Sequence, residues 1–392
     1  MSPIRSATIA ALASAVVATT LTGCQFGGAE QDTSPIVIAA DLELSGAAAP
    51  VGRAYQRALE LKRDQLNASG ALNNRKIELK VKDNRSDPAE SLRNIVDLSG
   101  DSRVSAIIMG GCNECAVGAV GTINEKRIPT IALAASGAIA SPAAERRFVF
   151  KLGPNAPDSA AALTTELRRN NIRKVGALFS DDDYGREGAA ALRSELVKAN
   201  ITLREQQAKT TDTDVSQQIQ QLTATKLDAL VFWTPPEQAT LAATSAQQTT
   251  FRGSLFFDAG AAGDLFLGAA ARATERATLI FTQTMVIDDV IATTPAKAAR
   301  RQWFQDYTAR YGGYNGSSSF AADAMQLIAD AELRAGGEAG EVNRTGIRDV
   351  LETSQMDGLS GPIRMTPDNH SGLMPQALTT LVARNGRWRL AG

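Results

Sequence analysis

From Pro35 onward the chain alternates short, apolar, β-branched runs with longer amphipathic stretches. That rhythm constrains its fold more than any other feature. The run "IVIAADL" (36–42) is a strand pattern, and "GRAYQRALELKRDQLNAS" (52–69) carries apolar residues at helical spacing. "IELKVKDN" (77–84) alternates like a strand, and "DPAESLRNIVDLS" (87–99) opens with Asp-Pro, a helix start. The strand "AIIMGG" (106–111), the helix "ECAVGAVGTINEK" (114–126) and the strand "IPTIAL" (128–133) continue the series. The rhythm restarts at "FVFKLGPN" (148–155), with strands at 174–181, 201–209, 228–234 and 254–260 separated by helical patterns. After "ATLIFTQT" (277–284) come helical patterns around 296–311, 318–335 and 343–354. The end, "ALTTLVARNGRWRL", is a hairpin with Asn-Gly at its turn. Alternation of this kind predicts α/β architecture: parallel sheets with helices on both faces, in two units of similar size.

With 392 residues, of which 44% are hydrophobic, the chain is long enough for two such cores. A net charge of -1 offers no basic field for nucleic acid. His370 is the single histidine, which argues against a histidine triad or a multi-histidine metal site. No G-x-S-x-G elbow or Gly-rich phosphate loop is present, so an enzyme is disfavoured and no cofactor is expected.

The N-terminus reads as an export signal. Arg5 precedes the small, apolar "ATIAALASAVVATTL", which ends in "LTGC", Leu21 to Cys24. Small residues before a cysteine are a bacterial lipobox pattern. The expectation is a signal peptide over 1–23, a lipid on Cys24, and a flexible tether over 24–34. Cys112 and Cys115 are then the remaining cysteines, in an oxidising compartment. Their three-residue spacing leaves a staple, a redox pair and a metal site all open.

Ligands of parallel sheets sit beyond the carboxyl ends of the strands, so the loops there hold the candidate site. "LAASGA" (133–138) is all small residues, and Ser136 adds a hydroxyl beside amides able to hold a carboxylate. "DDDYGREG" (181–188) puts Tyr184 at a strand-to-helix junction, with Asp181 to Asp183 as helix caps. Trp233 ends a strand ahead of Pro-Pro and suits either a ligand's apolar face or the core. Asp258, just after an apolar strand, suits a ligand ammonium or a helix cap.

The run "DLELSGAAAPVG" followed by "LKRDQLNASGALNNRKIELKVKDNRSDP" resembles the start of bacterial branched-chain amino acid-binding proteins. These are type I periplasmic solute-binding proteins, typified by the leucine/isoleucine/valine-binding protein. "IPTIALAAS", "VGALFSDDDYGREGAAALRSEL", "FFDAGAAGDLF" and "DGLSGPI" continue the resemblance in order, over about 35–390. It implies two α/β lobes joined by three crossovers that close on a ligand. Lobe 1 would comprise 35–154 and 281–364, and lobe 2 would comprise 155–280 and 365–392. Carried over by position, Asn113 stands where the family often has a ligand-binding serine. Ala134, Ala135 and Ser136 match the loop that holds the α-carboxylate. Tyr184 matches a cleft tyrosine, and Asp258 matches the acid that pairs with the α-ammonium, usually a glutamate. Trp233 would frame the side chain with Tyr184. Val51 and Pro235 depart from aromatic positions of some members, which weakens leucine, isoleucine or valine as the specific ligand. Cys112 matches a cysteine that in some members bridges to the loop before "DP". Ser86 stands there instead, so a local Cys112–Cys115 disulfide is expected, rigidifying the loop of Asn113. With the lipid expected on Cys24, the protein would be a receptor anchored on the outer face of the cytoplasmic membrane, and the resemblance implies its role. It would deliver a small amino acid-like zwitterion to the membrane subunits of an ABC permease. The rival is a sensor of the same fold for an amide or small organic acid.

Overall fold

The computed structural model describes residues 32–46, 48–262, 272–336 and 340–391. The expected signal peptide and Cys24 lie outside the described residues. Strands β1 (Ile36–Leu42), β2 (Ile77–Asp83), β3 (Val104–Met109), β4 (Thr130–Ala132) and β5 (Val149–Lys151) form one wholly parallel sheet in the order β2-β1-β3-β4-β5. β1 and β3 are buried at every position, as expected of parallel strands covered on both faces. Helices α1 (Ala49–Ser69), α2 (Pro88–Gly100) and α3 (Asn113–Lys126) connect the first four strands. Local signals mark several of their ends. Asp87 Oδ1 accepts from Glu90 N at 2.7 Å ahead of Pro88, and Gly70 (φ 73°) ends α1 in the left-handed conformation.

After α4 (Ala156–Arg169) the second sheet starts with β6 (Lys174–Ser180), α5 (Asp183–Lys198) and β7 (Thr202–Ala208). It continues through α6 (Ser216–Thr223), β8 (Ala229–Trp233), α7 (Pro236–Gln247), β9 (Ser254–Phe257) and β10 (Thr278–Thr282). The terminal hairpin, β13 (Leu378–Arg384) and β14 (Arg387–Leu390), adds antiparallel to β10, giving the order β14-β13-β10-β9-β8-β6-β7. Its turn residues Asn385 and Gly386 both have positive φ, 53° and 69°, which is what Asn-Gly supplies.

Between these passes the chain returns to the first lobe as α8 (Pro295–Tyr311), α9 (Ser318–Ala335) and α10 (Arg344–Leu351). α9 packs against α1, and Tyr311 of α8 donates to the Arg57 carbonyl at 2.9 Å. The structure is therefore a two-lobe α/β fold crossed three times by the chain. A short β11 (Gln355–Asp357) and β12 (Pro362–Arg364) pair, not read from the sequence, turns over Gly358 to Gly361. The buried Asp323 seats that turn, accepting from Leu359 N at 2.8 Å and Ser360 N at 2.7 Å. The final crossing also comes later than the expected boundary at 365. His370 stacks on Phe150 at 4.4 Å, and Gly372 N donates to the Lys151 carbonyl at 2.8 Å, so the segment up to Leu373 stays with lobe 1.

Candidate functional site

Each sheet reverses its strand order once, at β1/β3 in lobe 1 and at β6/β8 in lobe 2. At such a reversal neighbouring loops diverge to opposite faces and leave a crevice at the carboxyl ends. The two crevices face one another across a cavity of about 300 Å³. Lobe 1 supplies Glu43 after β1, Gly111 to Glu114 after β3, and Leu133 to Ala135 after β4. Lobe 2 supplies Asp182 and Tyr184 after β6, Pro235 and Pro236 after β8, and Ala259 and Gly260 after β9. Val51, Tyr55, Phe281 and Phe320 complete an apolar wall.

The expected residues converge here, but several act from behind the wall. Asn113 opens α3, and its Oδ1 accepts from Ala135 N at 3.0 Å and Ser136 N at 2.8 Å. The two amides expected to hold a carboxylate are thus already engaged by the chain's own side chain. Ala134 and Ala135 line the cavity, whereas Ser136 is fully buried and donates to Glu187 Oε1 of α5 at 2.7 Å. Glu187 also accepts from Gly137 N at 2.6 Å and Ala138 N at 3.2 Å, so this loop clasps lobe 2. Tyr184 lines the cavity, donates its hydroxyl to Asp258 Oδ2 and accepts from Gly260 N at 2.9 Å. Asp258 lies beneath it, 3% exposed, capping a short 3-10 turn. Burial pushes its carboxyl up to about 7.

Trp233 is a correction. It is 1% exposed and sits in the lobe 2 core, against Gly188 of α5 and 6.2 Å from the Tyr184 ring. It supports Tyr184; the cavity wall beside it is Pro235 and Pro236. The disulfide Cys112–Cys115 is present with Cα atoms 5.2 Å apart, and the Cys112 Sγ also accepts from Cys115 N at 3.1 Å, closing the first turn of α3. Among the described residues no group of three or more His, Cys, Asp or Glu side chains is arranged to hold a metal.

Two wall residues were not singled out from the sequence. Glu43 is 1% exposed yet lines the cavity. Its Oε1 accepts from Cys112 N at 3.0 Å, and its Oε2 accepts from Gly111 N at 3.2 Å. A Cβ at Gly110 would collide with this carboxylate, so a larger residue there would push Glu43 off its seat. Behind it, the buried Asp41 accepts from Asn84, Ser91 and Asn94, and Asn84 reaches on to Glu43 at 3.5 Å. Burial raises the carboxyls of both Asp41 and Glu43. Tyr55 of α1 is 5% exposed and lines the same corner. The available signal was the acid inside "LEL": a charge just past the carboxyl end of the first strand, where ligands of parallel sheets sit.

A sequence model of the periplasmic binding protein family matches residues 35–387. The fold is similar to that of an extracellular ligand-binding receptor from Rhodopseudomonas palustris HaA2, with TM-score 0.83 and 23% identity over 91% of this chain and 99% of that one. It is also similar to the leucine binding protein LivK from Thermotoga maritima, with TM-score 0.79 and 18% identity over 91% and 98% of the two chains. A third is the branched-chain amino acid transporter substrate binding protein LivJ from Streptococcus pneumoniae, solved with isoleucine, with TM-score 0.75 and 22% identity over 91% and 98%. Among the described residues no helix is long and apolar enough to cross a membrane. The chain belongs to the periplasmic binding protein family, a class that binds ligands outside the cytoplasm without chemical turnover.

Proposed function

We propose that this protein is the solute-capturing subunit of an ABC importer, tethered to the outer face of the cytoplasmic membrane through a lipid on Cys24. The observation that carries the reading is the cavity walled by both lobes, whose volume of about 300 Å³ suits one amino acid-sized solute. Closure of the lobes would bury the solute and mark the loaded state for the permease. The amino end of an amino acid-like zwitterion needs no rearrangement, because Glu43, Asp182 and Tyr184 already face the cavity. Its carboxylate would need Asn113 to hand over the Ala135 and Ser136 amides.

The test is thermal unfolding of the protein against L-amino acids, amides, amines and small organic acids. A bound solute raises the midpoint by mass action. A rise with any of these solutes, together with loss of its uptake in cells lacking the protein, supports the importer role. No rise with any of them overturns solute capture, and unchanged uptake overturns the coupling to a permease.

A further inference from the structure

The cavity has an electrostatic bias that the amino acid reading does not require. Among the described residues three acids, Glu43, Glu114 and Asp182, line it, and no Lys, Arg or His does. Lys151 stands behind the wall, fully buried, with its Nζ donating to the Gly153 carbonyl at 2.7 Å and the Pro154 carbonyl at 3.1 Å. Asp182 has an ordinary role, since it caps α5 through Gly185 N at 2.9 Å. Glu114 is exposed in the first turn of α3, where acids are favoured. Glu43 differs from both. It belongs to no helix, is buried, and none of its contacts is with a cation among the described residues.

Six loop amides at or beside the cleft that could hold an anion are already engaged. The Gly111 and Cys112 amides go to Glu43, those of Ala135 and Ser136 to Asn113, and those of Gly137 and Ala138 to Glu187. An incoming carboxylate would compete with a resident side chain at every one of these positions. An incoming cation would meet a lining carboxylate that two backbone amides hold in place. Beside it, a Cβ on Gly111 would stand 3.8 Å from the Tyr55 hydroxyl, which makes no hydrogen bond among the described residues. Tyr55 is 5% exposed and lines the cavity, so its hydroxyl is open to a donor that a solute brings.

We propose that Glu43 and Tyr55 form a cation subsite, and that the solute is a small organic cation bearing N–H donors, an ammonium, amidinium or guanidinium, with no carboxylate. The inference rests on the solute-binding reading above and names the substrate class of that same cavity. The cation donates to Glu43 and to the Tyr55 hydroxyl oxygen, while Val51, Leu133, Phe281 and Phe320 cover its carbon chain. Specificity follows because a solute without the cation leaves a buried carboxylate unpaired in the closed cleft.

The experiment compares unfolding midpoints of the full protein in putrescine, agmatine, L-leucine and succinate at equal ionic strength. It then titrates whichever cation binds into Glu43→Gln and Tyr55→Phe. The expected result is a rise with putrescine or agmatine and none with succinate. Glu43→Gln should weaken that binding by about thirtyfold or more, the usual effect of truncating a buried charge pair. Tyr55→Phe removes one oxygen and leaves the Glu43 seat intact, so it serves if Glu43→Gln does not fold, with an expected loss of about tenfold. A rise with L-leucine or succinate but neither cation overturns the inference and leaves solute capture standing. A cation response that both variants retain also overturns it. No response to any of the four overturns it too, and solute capture then stands or falls on the wider panel.

Discussion

Glu43 and Asp258 are both carboxylates buried at the end of a parallel strand, one in each lobe, and the fold uses them differently. Asp258 lies under Tyr184, whose hydroxyl it holds, and has no place in the cavity wall. Glu43 is one of the lining residues of the cavity, with its oxygens held by two backbone amides. Their charge type and burial match. What separates them is the neighbour that covers each one. An acid at a strand end is therefore available to a solute only where no aromatic side chain from the next helix lies over it.

The largest expected effect breaks the comparison on the Asp258 side. Folded Asp258 keeps its proton up to about 7, while the unfolded chain releases it near 3.8. The folded form then binds more protons between those values, so this group's contribution to stability is present below about 4 and is lost as the pH rises to about 7. The loss is on the order of 4 kcal/mol. Asp258→Asn keeps the acceptor for Tyr184 and removes the titration. Urea unfolding from pH 4 to 8 should show the variant gaining on the wild type by that amount, and parallel curves would show that Asp258 titrates normally.

A smaller effect is expected on the Glu43 side. Gly110→Ala drives a Cβ into the Glu43 carboxylate and should cost about 3 kcal/mol by overpacking. The solute-induced rise in midpoint should be lost with it. An unchanged response to solute would mean that the seat of Glu43 is softer than its contacts indicate. The smallest effect sharpens the comparison. Cys112→Ser with Cys115→Ser opens a very short loop, so chain entropy predicts a loss of only about 2 kcal/mol. Because the Cys112 amide holds Glu43, affinity should fall further than stability does. Equal falls would make the disulfide a staple only.

Much of this was legible in the sequence. The order of strands and helices, the terminal hairpin and the capping role of Asp182 follow from periodicity and turn chemistry, which act over a few residues. The loops that form the cleft were legible as strand ends. Which side chains within them face the cavity was not. Trp233 and Tyr184 both looked like cleft aromatics, and only the packing of α5 against β8 puts one in the core and the other in the wall. Ser136 looked like a free hydroxyl until Glu187, from the opposite lobe, took it. The boundary near 365 moved because His370 stacks on Phe150 and the backbone around it bonds Lys151, both in the first lobe.

The sequence by itself determined two α/β units and the places where loops gather, because backbone hydrogen bonding and apolar periodicity are written locally. Only the tertiary structure decided which polar groups are already satisfied. Glu43 meets Gly111 and Cys112 across 68 and 69 residues of chain, and Ser136 meets Glu187 across 51. A buried polar group's availability to a solute depends on partners at that range, and no window of sequence contains both members of the pair.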